Sequence, residues 1–385
     1  MENYPWSVGS KLPNMGTSIF AVMTQLATDH KAINLSQGFP DFPVSENLIS
    51  LVHKYMKKGY NQYAPMPGVL QLRKAIAEKI KKTFGAEYDP ITDITVTAGA
   101  TQAIYAIISA FVRTDDEVII FEPAYDSYAP SVKINGGLVK YATLQQPDFS
   151  IDWQRFPALI SNRTRMIIIN SPHNPTGTVL SHNDINQLIR ITRNRDIIIL
   201  SDEVYEHLIF DGLQHESVSK YPELASKSLV VGSFGKTFHA TGWKTGFVAA
   251  PANLTSELRK AHQFIVFASN TPVQHAIAEF LEDEENYIHL PGYYQQKRDL
   301  FFNLTKGSRF KPLPCNGTYF QTLDYSNISD EDEMEFAIRL IKDHKIASVP
   351  LSAFYYKNDD NKHLRFCFAK TEETLEKAAK ILCKI

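Results

Sequence analysis

The middle of this 385-residue chain alternates short β-branched apolar runs with longer helical patterns, and that alternation constrains the fold more than any other feature. The runs are Ile94–Thr97, Val118–Phe121, Leu138–Tyr141, Met166–Asn170, Ile197–Ser201, Leu229–Ser233 and Thr245–Ala249. Several are apolar throughout, without a polar residue at every second position, so both faces need covering. That predicts a mostly parallel sheet with helices on either side. Thr101–Val112 and His182–Arg193 supply helical patterns between the runs. The expected core is a doubly wound α/β sheet. The C-terminal stretch reads differently. Gly317–Leu323, Ala347–Val349 and Leu364–Phe368 look like strands between helices at Glu331–His344 and Glu372–Leu382, following a long helix near Gly292–Leu304. Residues 45–285 are therefore expected to form a large α/β domain, and 286–385 with the N-terminal arm 1–44 a smaller α+β domain.

Composition narrows the function classes. Hydrophobic residues make up 44% and charged residues 21%, enough for a full core, and the net charge of −2 gives no basic field for nucleic acid or an anionic membrane. The three cysteines, Cys315, Cys367 and Cys383, show no CxxC spacing, and the twelve histidines show no HExxH, so neither a disulfide framework nor a metal site is expected. The start, Met1 to Trp6, lacks a cationic segment followed by an apolar run, and no stretch approaches the roughly 18 apolar residues of a membrane span. A cytoplasmic protein is the expectation.

Ligands of an open parallel sheet collect beyond the carboxyl ends of its strands. Polar clusters marked by glycine or proline fall at those ends: Thr97-Ala98-Gly99-Ala100-Thr101, Glu122-Pro123-Ala124-Tyr125, Asn170-Ser171-Pro172-His173-Asn174, Ser201-Asp202-Glu203-Val204-Tyr205 and Ser233-Phe234-Gly235-Lys236-Thr237. Gly99 to Thr101 open a helix, whose backbone N–H groups suit an anion. Gly235-Lys236-Thr237 resembles the tail of a P-loop, but that motif needs glycine where Val230 stands, and no G-x-G-x-x-G follows the first strand. What remains is a lysine, an acid on a neighbouring strand end, an anion cradle and an aromatic. Pyridoxal 5′-phosphate (PLP) needs these groups for its aldehyde, its pyridinium nitrogen and its phosphate.

The segment Ser233 to Gly246, with Lys236 inside it, resembles the PLP-lysine signature of class I/II aminotransferases of fold type I. Asn174-Pro175-Thr176-Gly177, Asp202-Glu203-Val204-Tyr205 and Leu364-Arg365-Phe366 match that family's other landmarks in order and spacing. The likeness covers nearly the whole chain. Gln37-Gly38-Phe39-Pro40-Asp41, Asn61-Gln62-Tyr63-Ala64-Pro65 and Tyr125-Asp126-Ser127-Tyr128 resemble the kynurenine/glutamine-transaminase-like subgroup, and within it bacterial methionine aminotransferases.

The resemblance implies roles, each with a plainer alternative. Lys236 bonds the cofactor and carries a proton between substrate and cofactor; a surface lysine is the alternative. Asp202 faces the pyridine nitrogen, where it could instead cap a helix. Glu203 points elsewhere and is structural. Asn174 and Tyr205 reach the phenolic oxygen, or are a turn and a core residue. Tyr125 stacks on the ring, or is simply core. Gly99, Ala100, Thr101, Ser233 and Lys244 hold the phosphate, together with Tyr63 of a second subunit. Many relatives have arginine where Lys244 stands, and lysine lacks the planar fork. Arg365 and the Gly38 backbone bind the substrate carboxylate. Aspartate-type relatives use a second arginine for a distal carboxylate, and His262 to Pro272 contains none. Neutral substrates are thus implied, methionine first, then aromatic amino acids and glutamine, with Phe20, Tyr63 and Asn270 at the side-chain pocket. The implied partners are an amino acid, a 2-oxo acid and a second copy of the chain. A PLP-dependent β-lyase would share all these residues. A PLP-sensing regulator would carry a DNA-binding domain ahead of the aminotransferase-like part, and with Gln37 so near the start none is expected.

Overall fold

The structure is a computed structural model that describes every residue except 1–3, 5, 7 and 14. Its strands are β1 (Ile33–Asn34), β2 (Ile94–Thr97), β3 (Glu117–Glu122), β4 (Leu138–Thr143), β5 (Thr164–Asn170), β6 (Ile198–Asp202), β7 (Ser228–Ser233), β8 (Gly246–Ala249), β9 (Lys311–Pro312), β10 (Phe320–Asp324), β11 (Ile346–Ala347), β12 (Val349–Pro350) and β13 (His363–Cys367). One seven-stranded sheet runs in the order β2-β8-β7-β6-β5-β3-β4. The seven apolar runs of the sequence are its seven strands. All neighbours are parallel except β8, which lies antiparallel between β2 and β7.

Burial explains the unbroken apolar runs. Every residue of β3, β6, β7 and β8 is buried, while the edge strand β4 is half-exposed. The helix Ala100–Phe111 lays Ala103, Ile104, Ile107, Ile108 and Phe111 on the sheet, the spacing of one helical face. The helix His182–Thr192 starts in a capping box, with the Ser181 hydroxyl and the Asp184 carboxylate each satisfying the other's backbone N–H.

A second sheet, β12-β13-β10-β9, lies in the C-terminal part. Two sequence expectations change here. Ala347–Val349 is not one strand: β11 pairs with β1 in parallel and β12 pairs with β13, so the chain changes partners at Ser348. Gly317–Leu323 becomes a strand only from Phe320. Thr318 sits at φ +65°, and a Cβ on Gly317 would come within 2.7 Å of Pro172 Cβ and 2.8 Å of the Leu208 carbonyl. Close approach to the main sheet bends the chain there, which alternation alone does not reveal.

The N-terminal segment packs with this C-terminal part, as expected. Beyond the β1–β11 pairing, Cys367 N–H donates to the Leu35 carbonyl at 2.8 Å. Lys370 Nζ donates to the Phe39 carbonyl at 2.8 Å, and Thr371 N–H to Asp41 Oδ1 at 2.6 Å. Among the described residues no helix is long and apolar enough to cross a membrane.

Candidate active site

Strand register gathers the polar clusters on one rim. Thr97 of β2 and Ser233 of β7 both pair with Gly246 at the start of β8, and Asn170 of β5 pairs with Asp202 at the end of β6. A cavity of about 180 Å³ opens at this rim. Of the residues singled out from the sequence, Phe20, Gly38, Ala100, Thr101, Tyr125, Asn174, Asp202, Tyr205, Lys236 and Arg365 line it.

Asp202 is buried, and its Oδ2 accepts from the Tyr128 hydroxyl at 2.6 Å while Oδ1 accepts from Val204 N–H at 3.3 Å. No cation pairs with it among the described residues. Burial pushes its carboxyl up to about 6, offset in part by the Tyr128 and Val204 donors. No helix starts here, so Asp202 is not a cap. Glu203 points away from the cavity, accepting from Ser201 Oγ and bonding His215 Nε2, both at 2.7 Å.

Lys236 is half-buried, and its Nζ donates to the Gly38 carbonyl at 3.0 Å and to the Tyr319 hydroxyl at 2.7 Å. Burial lowers its amine to about 8, because removing an ammonium from water disfavours the charge. Nζ also lies 5.5 Å from the Tyr205 ring centre. Tyr205 is buried and meets Tyr319 edge-on at 5.1 Å.

Arg365 is fully buried. Its Nη1 donates to Asn174 Oδ1 at 2.7 Å and Nη2 to the Ser36 carbonyl at 3.0 Å. The guanidinium lies 3.8 Å from the Phe320 ring centre and 5.2 Å from that of Phe20. Its Nε has no hydrogen-bond partner and no carboxylate pairs with it among the described residues. Burial lowers it only to about 10, so it stays charged at neutral pH. With its oxygen turned to Arg365, the Asn174 carboxamide turns its N–H groups the other way.

The anion cradle lies beside this cavity. Gly99, at φ +79°, precedes the helix Ala100–Phe111, and a Cβ on it would meet Lys244 Cε at 3.4 Å. Lys244 thus stands against the helix start, in a left-handed conformation at φ 51°. Ser233 ends β7. Gly99, Ser233 and Lys244 flank the cavity without lining it. Tyr63 and Asn270 are not brought to it. Tyr63 is 83% exposed and edge-on to Phe267 at 5.4 Å, and the Asn270 side chain caps the helix Thr271–Phe280 by accepting from Val273 N–H.

Two residues escaped the sequence reading. Tyr128 lies three positions after Tyr125, a spacing that puts both on one side of a turn and could have flagged it. Tyr319 sits in an apolar strand pattern, and nothing in the sequence links it to Lys236.

The site fits PLP. A buried carboxylate and a buried guanidinium, neither with an ionic partner among the described residues, line one cavity with a lysine amine. Backbone donors and Lys244 stand at its edge, suited to a phosphate. Fold and site define a PLP-dependent enzyme of fold type I. The family model described as aminotransferase class I and II matches residues 30–382. The methionine aminotransferase of Escherichia coli is 49% identical over 383 residues, covering 99% of both chains. Mouse kynurenine–oxoglutarate transaminase 1 is 33% identical, covering 94% of this chain and 93% of that one. A solved E. coli structure, described as having a methionine aminotransferase function, superposes with a TM-score of 0.97 at 49% identity, over 99% of this chain and 100% of the other. The chain belongs to the class I and II aminotransferase family and is an amino-acid aminotransferase.

Proposed function

We propose that this chain moves the amino group of a neutral L-amino acid, methionine first, to a 2-oxo acid in a ping-pong cycle. The observation that carries this reading is one cavity lined by the Lys236 amine together with Arg365 and Asp202, two buried ionisable groups without ionic partners among the described residues. Methionine is favoured by the likeness to the E. coli methionine aminotransferase, and a neutral side chain by the absence of arginine from 262–272.

PLP, when bound, supplies an aldehyde that bonds an amine and a ring that takes up the electrons released at the substrate Cα. Arg365, with the Gly38 backbone, holds the substrate carboxylate and so fixes where its Cα–H points. Lys236 removes that proton as a neutral amine and returns it as an ammonium. A pKa near neutrality suits both tasks, and burial supplies it. Asp202 would face the pyridine nitrogen and favour its protonated form, and the Tyr128 hydroxyl, donating to Oδ2, favours the ionised carboxylate. Asn174 and Tyr205 would hold the phenolic oxygen, and Tyr125 would cover the ring; all three line the cavity. Backbone N–H groups of Gly99, Ala100 and Thr101 would hold the phosphate, with Ser233 and Lys244 beside them.

We read the working unit as a cytoplasmic homodimer, each chain divided into 45–285 and 1–44 with 286–385. Tyr63 lies outside its own chain's cavity, exposed beside the exposed Phe267, which suits a side chain serving the other copy. Phe20 lines the cavity as the nearest candidate for side-chain selection.

A panel of amino donors against one fixed oxo acid tests the substrate. Methionine should have the highest kcat/KM, and aspartate or glutamate above it would refute the neutral pocket. Methionine alone should yield one equivalent of oxo acid per site and then stop, whereas continuous release of ammonia would mark a lyase. Lys236→Ala should lose turnover and the visible absorbance of lysine-bound cofactor.

A further inference from the structure

A lysine nitrogen has three positions beyond its carbon. As an ammonium it carries three N–H groups, and as a neutral amine two N–H groups and a lone pair. Lys236 Nζ uses two of these positions on protein acceptors, the Gly38 carbonyl at 3.0 Å and the Tyr319 hydroxyl oxygen at 2.7 Å. The Tyr319 hydroxyl donates its own proton to the same Gly38 carbonyl. Its oxygen is therefore committed as an acceptor for the amine, and the three atoms close a small triangle. The remaining position of Nζ is left for the cavity that Lys236 lines.

The triangle is held rigidly. Tyr319 is fully buried, edge-on to Tyr205 at 5.1 Å and to Phe320 at 4.8 Å. It lies between the bend at Thr318, φ +65°, and the start of β10. Gly38 packs closely on the Phe320 ring, where a Cβ would come within 2.7 Å. Burial holds the Tyr319 phenol well above its ordinary pKa, so it stays protonated and keeps its donor on Gly38.

We propose that Tyr319 is a positioning residue for proton transfer, fixing with Gly38 two of the three positions of Lys236 Nζ so that the third is directed at the substrate Cα. The inference rests on the reading of Lys236 as the proton carrier. The lone pair takes the Cα proton, the ammonium so formed carries it at the same position, and its release regenerates the amine. Tyr319 and Gly38 gain and lose no proton. Without the hydroxyl, Nζ keeps one acceptor and turns about its Cε–Nζ bond, spending less time with its lone pair in the cavity.

Tyr319→Phe keeps the ring and removes the acceptor. On methionine, kcat should fall roughly ten- to a hundredfold, the scale of a misdirected reacting group. KM should change by less than about twofold, as for an interaction used in the transition state only. The isotope effect with Cα-deuterated methionine should rise, because proton transfer becomes slower than the other steps. A readout independent of turnover uses the cofactor-free chain, with pH-dependent labelling of Lys236 by an amine-reactive reagent followed by mass spectrometry. Loss of an acceptor that favours the ammonium should shift half-labelling to lower pH. Replacing Tyr319 with 3-fluorotyrosine, which weakens the acceptor and keeps the packing, should lower kcat in the same direction. Unchanged kcat, a kcat loss without a larger isotope effect, or an unshifted labelling midpoint overturns the proposal. Residual turnover in Lys236→Ala would instead overturn the reading on which it rests.

Discussion

Arg365→Lys separates the value of a fork from the value of a charge. Arg365 is fully buried and already serves Asn174 Oδ1 at 2.7 Å and the Ser36 carbonyl at 3.0 Å, with its plane set by Phe320 at 3.8 Å. Its Nε is left without a hydrogen-bond partner among the described residues. Lysine keeps the charge but offers no plane, so it cannot hold Asn174, Ser36 and a carboxylate together. One charge-assisted hydrogen bond to the carboxylate is lost, about 1.5–3 kcal/mol. At about 1.36 kcal/mol per decade, that is roughly ten- to 150-fold in kcat/KM. The assay is initial-rate kinetics with methionine and, separately, inhibition by methioninamide, which has the amine without the carboxylate. The substitution should weaken methionine strongly and leave methioninamide nearly unchanged. Equal losses for both, or a loss in kcat/KM under about threefold, less than half of one such bond, would refute the reasoning.

Two further perturbations test the acid and the cradle. Tyr128→Phe removes a donor that favours the ionised Asp202, whose carboxyl burial already holds near 6. The acid limb of the kcat/KM profile should move to higher pH, by about one to two units for a bond of about 1.5–3 kcal/mol, and an unmoved limb would count against it. Gly246→Ala places a Cβ 2.7 Å from the Gly232 carbonyl and 3.2 Å from Ala100 N. Both neighbours are backbone, so β7 and the helix start must shift; overpacking of about 1–3 kcal/mol should lower Tm and speed cofactor loss on dialysis. A variant with unchanged Tm and retention would show that the cradle tolerates the methyl group.

The large sheet was legible because its chemistry is local. A strand buried on both faces must be apolar along its length, and a strand end that meets ligand must carry polar residues, so Asn170, Asp202 and Ser233 mark themselves in one dimension. The antiparallel course of β8 has no such mark, since Gly246–Ala249 is as apolar as its parallel neighbours. Ser348 was missed for a related reason: changing partner between sheets is a property of the partners. Tyr319 was invisible because its role depends on a hydroxyl meeting an amine 83 positions away in sequence. Tyr63 and Asn270 do not line the cavity of their own chain, and the service to a second copy proposed for Tyr63 is a relation that no pattern within one chain encodes.

The strapping of Leu35–Asp41 to β13 and the residues after it has a consequence for recombination. Arg365 reaches Ser36, Cys367 reaches Leu35, Lys370 reaches Phe39 and Thr371 reaches Asp41. These are mostly bonds to backbone carbonyls, indifferent to side-chain identity but sensitive to the path of both segments. A chimaera that inherits its C-terminal hundred or so residues from one parent and its N-terminus from another would join two straps cut to different lengths. Crossovers placed within the central sheet should therefore come in pairs, so that the two ends of the chain descend from one parent and travel as a single heritable block.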